Sequence, residues 1–179
     1  MSRPSSSSHS DTCDTVWQWF RAQPPPEDDL AAAAMLGQFI HRFLAQLLPA
    51  AGDDACGMLL IREGMQPSEA IDAVVNQYLR PNQTLLVRLL TVIKPEADPG
   101  ELARDAQCIL GQILHYRVFR AIIERLNEQN LSYPESLTEL SQHLTRFTLR
   151  GLGCRDALID RAIAAAAPLP GCQAQGSAS

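Results

Sequence analysis

The sequence predicts an all-α protein, a bundle of about six to eight helices. Three observations carry this. Apolar residues recur at helical spacing over nearly the whole stretch from about Leu30 to about Ala167. No segment sustains the strict apolar–polar alternation of a half-buried strand. The interruptions between periodic segments fall at proline, glycine, aspartate and serine, where helix chemistry starts and stops helices.

The first strong helix carries Leu36, Ile40, Phe43 and Leu47 on one stripe, widened by Phe39, Leu44 and Leu48. "GMLLIREGM" (Gly57 to Met65) reads as a short apolar helix. Pro67-Ser68 opens the next segment, since proline suits a first helical turn. At Arg80-Pro81 the ring would meet the carbonyl of Gln77, so the helix is expected to kink or break there before continuing through "TLLVRLLTVI". "DPGE" (Asp98 to Glu101) supplies an N-cap in Asp98, a first-turn proline in Pro99 and a capping-box partner in Glu101. Nothing then breaks the pattern until "NEQN" near Asn130, which predicts one helix of roughly 45 Å. Leu137, Leu140, Leu144 and Phe147 make a 3-4-3 pattern that ends at Gly151-Leu152-Gly153, a glycine C-cap signal. A last helix runs from about Arg155 to Ala167. The Ser-rich start and the "PLPGCQAQGSAS" end hold too little apolar surface to fold.

Composition narrows the function. At 179 residues the chain has the size of one domain. Its net charge is −5, and of 15 basic residues only Lys94 is a lysine. That is a poor balance for a chain that binds nucleic acid unaided. Cys13, Cys56, Cys108, Cys154 and Cys172 are widely spaced with no CxxC pair, which argues against a disulfide framework or zinc site and for reduced thiols. The N-terminus lacks the apolar core of a secretory signal, and the apolar runs are shorter than the roughly 20 residues that span a bilayer. A cytoplasmic protein without membrane segments is expected.

The segment "CILGQILHYRVFR" (Cys108 to Arg120) holds the candidate site. At 100° per residue, Cys108, Gly111, Gln112, His115, Phe119, Ile122 and Leu126 share one stripe, while other apolar residues cover the remaining sides. An apolar girdle of this kind predicts a helix enclosed by neighbours all round. Its thiol, amide, imidazole and ring then suit the wall of a small cavity. Cys108, Gly111, Gln112, His115, Tyr116 and Phe119 are therefore the candidate ligand-binding residues. The bland alternative is that Gln112, His115 and Tyr116 are hydrogen-bonded core residues. Arg120 and Glu124 can pair at i,i+4. Glu63 is a candidate to meet an arginine elsewhere. Glu139 and His143 stand at i,i+4 without companion ligands, so no metal and no cofactor are expected. Motifs of hydrolases, metalloproteases and nucleotide-binding loops are absent from the sequence. Cys108 and His115 lie two helical turns apart, about 10.5 Å, too far for a nucleophile–base pair. A non-enzyme is expected.

"REGMQPSEAIDAVVNQYLRP" (Arg62 to Pro81), "ILGQILHYRVFRAIIERL" (Ile109 to Leu126) and "LSQHLTRFTLRGL" (Leu140 to Leu152) together resemble the C-terminal domain of TetR-family transcriptional regulators, in its CecR-type branch, over about residues 30–155. The resemblance implies an effector-binding and dimerisation domain over 28–167, between a disordered or weakly helical segment 1–27 and a disordered tail 168–179. It implies that the two long C-terminal helices form a four-helix interface between two subunits, with Leu137, Leu140, Leu144, Phe147, Arg117 and Arg120 as its candidate residues. It also implies a ligand cavity inside each subunit. Regulators of this type begin with a helix-turn-helix. The Ser- and Pro-rich start shows neither a recognition helix nor a basic patch, so no DNA-binding residue is carried over. The expectation is a homodimeric sensor of a hydrophobic small molecule without its own DNA-reading head, which would touch DNA only if such a head were supplied. The alternative is a DNA-binding-deficient partner that heterodimerises with a full-length paralogue.

Overall fold

A computed structural model describes residue 20 and residues 22–48, 61–127 and 136–166 of the chain. Among them seven α-helices follow in order: α1 (Asp29–Leu47), α2 (Ile71–Val74), α3 (Arg80–Ile93), α4 (Pro99–Val118), α5 (Arg120–Asn127), α6 (Leu137–Gly151) and α7 (Asp156–Ala165). Residues 61–65 are also helical, and a π-helical turn, Val75–Leu79, joins α2 to α3. The fold is all-α. The expectations on residues 1–19, on Gly57 to Leu60 and on the tail 168–179 lie outside the described residues.

The first helix organises the core. Asp28 caps it, its carboxylate accepting from the Ala31 N–H at 2.7 Å. The predicted stripe is buried: Leu36, Phe39, Ile40, Phe43, Leu44 and Leu47 all face inward. The rings of Phe39 and Phe43 stack at 5.4 Å, and Phe20 packs on Phe39 from the chain's start. α3, α4, α6 and α7 all pack against α1. Gly37 sets how closely two of them come. A Cβ there would stand 3.1 Å from the Ala166 Cβ and 3.2 Å from the Thr145 Cγ2.

Three local expectations meet a different outcome. The chain passes Pro81 without a break, because the π turn inserts a wider loop ahead of it and the Arg80 N–H reaches back to the Val75 carbonyl. Asp98 does cap α4, accepting from the Gly100 and Glu101 N–H groups. Glu101, however, does not close a capping box. It joins Asp105 in gripping Lys94, whose Nζ lies 2.8 Å from Asp105 Oδ2. The two carboxylates, Asp105 foremost, push the ammonium's pKa up, and the trio ties the end of α3 to the first turns of α4. Among the described residues Glu63 forms no ion pair with an arginine. Its buried carboxylate accepts from the N–H and the hydroxyl of Ser68, which hold its pKa below the usual range and pin the turn after 61–65.

α6 starts on Ser136, whose hydroxyl accepts from the Glu139 N–H, and ends as predicted on a glycine. Gly153 takes φ +83, the Cys154 N–H returns to the Leu149 carbonyl and the Gly153 N–H to that of Arg150. This is a Schellman turn, and it directs α7 back over α1. Ile159 and Ala162 of α7 enter the core. No helix among the described residues is long and apolar enough to cross a membrane.

Candidate functional site

The long helix predicted to run to Asn130 is two helices. Val118 ends α4, and Phe119 leaves helical geometry with φ −102 and ψ 15. Its N–H still bonds the His115 carbonyl, but its own carbonyl is shared by the Ile122 and Ile123 N–H groups at 2.9 Å each. The chain turns there and continues as α5. The expected i,i+4 pair stands on that helix, Arg120 Nε donating to Glu124 Oε1 at 2.8 Å.

The inward face of α4 is Leu102, Ala106, Ile109, Leu110 and Ile113. The opposite face is not enclosed. Cys108, Gly111, His115 and Phe119 are exposed, and nothing lies within 4 Å of where a Gly111 Cβ would be. Gln112 and Tyr116 are half-buried. The expectation of neighbours on every side therefore fails for the single chain. This stripe forms an outer surface, not an inner wall. His115 lies against the Phe119 ring at 5.1 Å and meets Tyr116 edge-on at 5.8 Å, so the three aromatic groups form a short ladder along it.

The leucine seam on α6 divides in the same way. Leu140 and Leu144 are buried in the subunit's own core, Leu137 is half-buried, and Phe147 points out with 62% of its surface exposed. Arg117 is half-buried and Arg120 exposed. Phe147 neighbours Thr148, whose hydroxyl makes a long 3.4 Å contact to Gln112 Oε1 of α4. That contact links the two helices that carry the uncovered residues. Among the described residues, six large apolar side chains are exposed: Met65, Val118, Phe119, Ile122, Leu126 and Phe147. Five of these belong to α6 and to the α4–α5 stretch, Phe119 sitting at the turn between the two. They cannot be solvated without cost, and large exposed apolar patches mark contact surfaces.

Sequence reasoning overlooked a second stripe on α6. Thr138, Ser141, Thr145 and Thr148 repeat at 3-4-3 spacing beside the leucines, and three of them are buried. They bond inward: Thr145 to the Ser141 carbonyl at 2.7 Å, Ser141 to that of Thr138 at 2.9 Å. His41 of α1 reaches Ser141 Oγ at 3.0 Å. No buried side-chain polar atom among the described residues lacks a partner.

Fold and face together define a class: an all-helical domain whose long helix keeps a mixed aromatic and apolar side outside its own core. The C-terminal domain family of the HTH-type transcriptional dual regulator CecR matches residues 32–152, two-thirds of the chain, and the chain belongs to that family. Neither the curated proteins nor the solved structures hold a match.

Proposed function

We propose that the chain is the effector-sensing and homodimerising module of a TetR-like transcriptional regulator. One observation supports the dimer: Phe119 at the turn after α4, Ile122 and Leu126 of α5, and Phe147 of α6 are large apolar side chains left exposed in the single chain. A second copy of the same face would cover them. Gly111 and Gly151 are both exposed with open space around them, which lets partner helices come close. Leu140 and Leu144 support this face from beneath instead of forming it. Of the six residues assigned to a ligand, the half-buried Gln112 and Tyr116 stay candidates for contacting one inside the subunit. Cys108, Gly111, His115 and Phe119 are reassigned to the subunit contact. Effector binding rests on the family match, and an effector held among helices this apolar would be a hydrophobic small molecule acting in the cytoplasm. The same face would also serve pairing with a full-length relative.

The test is light scattering on the full chain and on a variant carrying Phe119→Asp and Phe147→Asp. Both side chains are exposed in the single chain, so the variant should keep its helical circular dichroism. Wild type should be dimeric at micromolar concentration and the variant monomeric. A monomeric wild type, or a variant that remains dimeric, would refute the reading.

A further inference from the structure

α5 receives little support from its own subunit. It is eight residues long, Arg120–Asn127, and its chief packing partner is α4, the helix it follows. Of residues 120–126 none is buried: Ile123 is half-buried and the others are exposed. Ile122 leaves 54% of its surface open and Leu126 57%. Isolated helices shorter than about 12–15 residues are marginal in water, because the first turn fixes several residues for a single hydrogen bond. The turn at Phe119 makes α5 begin anew, since the Ile122 N–H bonds a carbonyl only three residues back. Local chemistry does not compensate. Two adjacent β-branched residues, Ile122 and Ile123, lower the helix propensity, and no acidic side chain stands in the first turn. The Arg120–Glu124 pair has its cation on the N-terminal side, the weaker orientation.

What α5 does offer is a continuation of the outer face. Cys108, Gln112, His115, Phe119, Ile122 and Leu126 keep 4-3-4-3-4 spacing across the turn, so one seam runs from α4 into α5. Phe119 and Phe147 leave about 200 Å² open between them, a fraction of the roughly 800 Å² that each partner gives to a standard interface. Ile122 and Leu126 are the next large apolar side chains along that seam. α5 also carries both signs of charge, in Arg120, Glu124 and Arg125, which suits a contact with its own copy.

We propose that α5 is a helix completed by the partner subunit. In the separated subunit it frays; in the dimer it folds against the second copy, and association bears the cost of ordering it. This inference rests on the dimer reading and deepens it, because part of each subunit's interface forms only when two copies meet.

The experiment follows hydrogen exchange of the full chain by mass spectrometry, above and below the dimer Kd measured by sedimentation. Amides of residues 122–127 should be protected in the dimer and lose protection on dilution, while those of α1 keep theirs. A second measurement uses Ala121→Gly. Ala121 is exposed on the side of α5 away from Ile122 and Leu126, so the change removes no seam contact and lowers only helix propensity. Glycine disfavours the helix about fivefold in each subunit, so Kd should rise about twenty-five-fold, with the stability of the separated subunit unchanged. A helix already formed in the separated subunit predicts the reverse, an unchanged Kd and a less stable subunit. Equal protection of 122–127 at both concentrations, or an unchanged Kd in Ala121→Gly, overturns this inference and leaves the dimer standing. A wild type that is monomeric at every concentration overturns both.

Discussion

Replacing Phe147 by alanine separates the two roles that the α6 leucine seam was expected to combine. Phe147 exposes 62% of its surface in the single chain. A phenylalanine carries roughly 200 Å² of buriable area, so about 125 Å² is available to a partner. At about 25 cal/mol/Å² its full coverage contributes about 3 kcal/mol per subunit, and truncation to alanine forfeits about 2 of these. A two-fold contact counts each residue twice, so the dimer loses about 4 kcal/mol, near a thousandfold in Kd. The folding of the subunit should change by less than about 0.5 kcal/mol, as for other exposed positions. Leu144→Ala predicts the reverse. That side chain is 5% exposed, and its truncation should cost the subunit about 2–5 kcal/mol of folding stability. Sedimentation equilibrium gives the dimer constant. Urea unfolding, run below the concentration at which the variant dimerises, gives the subunit stability. A Phe147→Ala protein with an unchanged Kd, or a Leu144→Ala protein that unfolds like wild type, would refute the division of the seam.

Two further outcomes follow from the packing. Gly37→Leu should lower stability by about 1–3 kcal/mol, because the Ala166 Cβ and Thr145 Cγ2 already stand within 3.2 Å of a Cβ position there. A melting temperature equal to wild type would show that α7 can retreat at no cost. Lys94→Met should cost about 1 kcal/mol, the upper range for a partly shielded ion pair. Because the folded ammonium's pKa is raised, the difference from wild type should persist below the unfolded lysine value of about 10.4 and fade as pH rises through the folded one. A double-mutant cycle with Asp105→Asn checks that this contact is the source.

Much of the fold was legible because helix signals are local. Asp98 reads as a cap from its side chain alone, and the Gly153 turn follows from a residue that accepts φ +83 without strain. The apolar stripe of α1 was legible because a single face does all its burying. What misled the reading was non-local. The Leu137, Leu140, Leu144 and Phe147 pattern spans about 80° at 100° per residue, wide enough to straddle the edge of the core. Its middle faces inward and its last member faces out. Phe119 stops α4 although no proline or glycine stands there, since nothing in the local sequence announces a carbonyl shared by two later N–H groups. The Thr138, Ser141, Thr145 and Thr148 stripe was present at helical spacing. It was passed over because hydroxyl residues look solvent-facing until their bonds to carbonyls one turn back are counted.

Periodicity reports that a side chain prefers to leave water, not which chain will shelter it. The Cys108 to Phe119 stripe was apolar enough to be read as interior, and in the single chain it is surface. The proposed dimer would reconcile both facts, with a cover supplied in trans. That places the face in a position to respond to what happens inside the subunit. α1 packs against both α4 and α6, and the two meet outside it through Gln112 and Thr148. A molecule lodged between α1 and α4 would alter the face only by favouring one relative placement of α4 and α6 over another. However tightly it bound, equal affinity for both placements would leave the dimer unchanged.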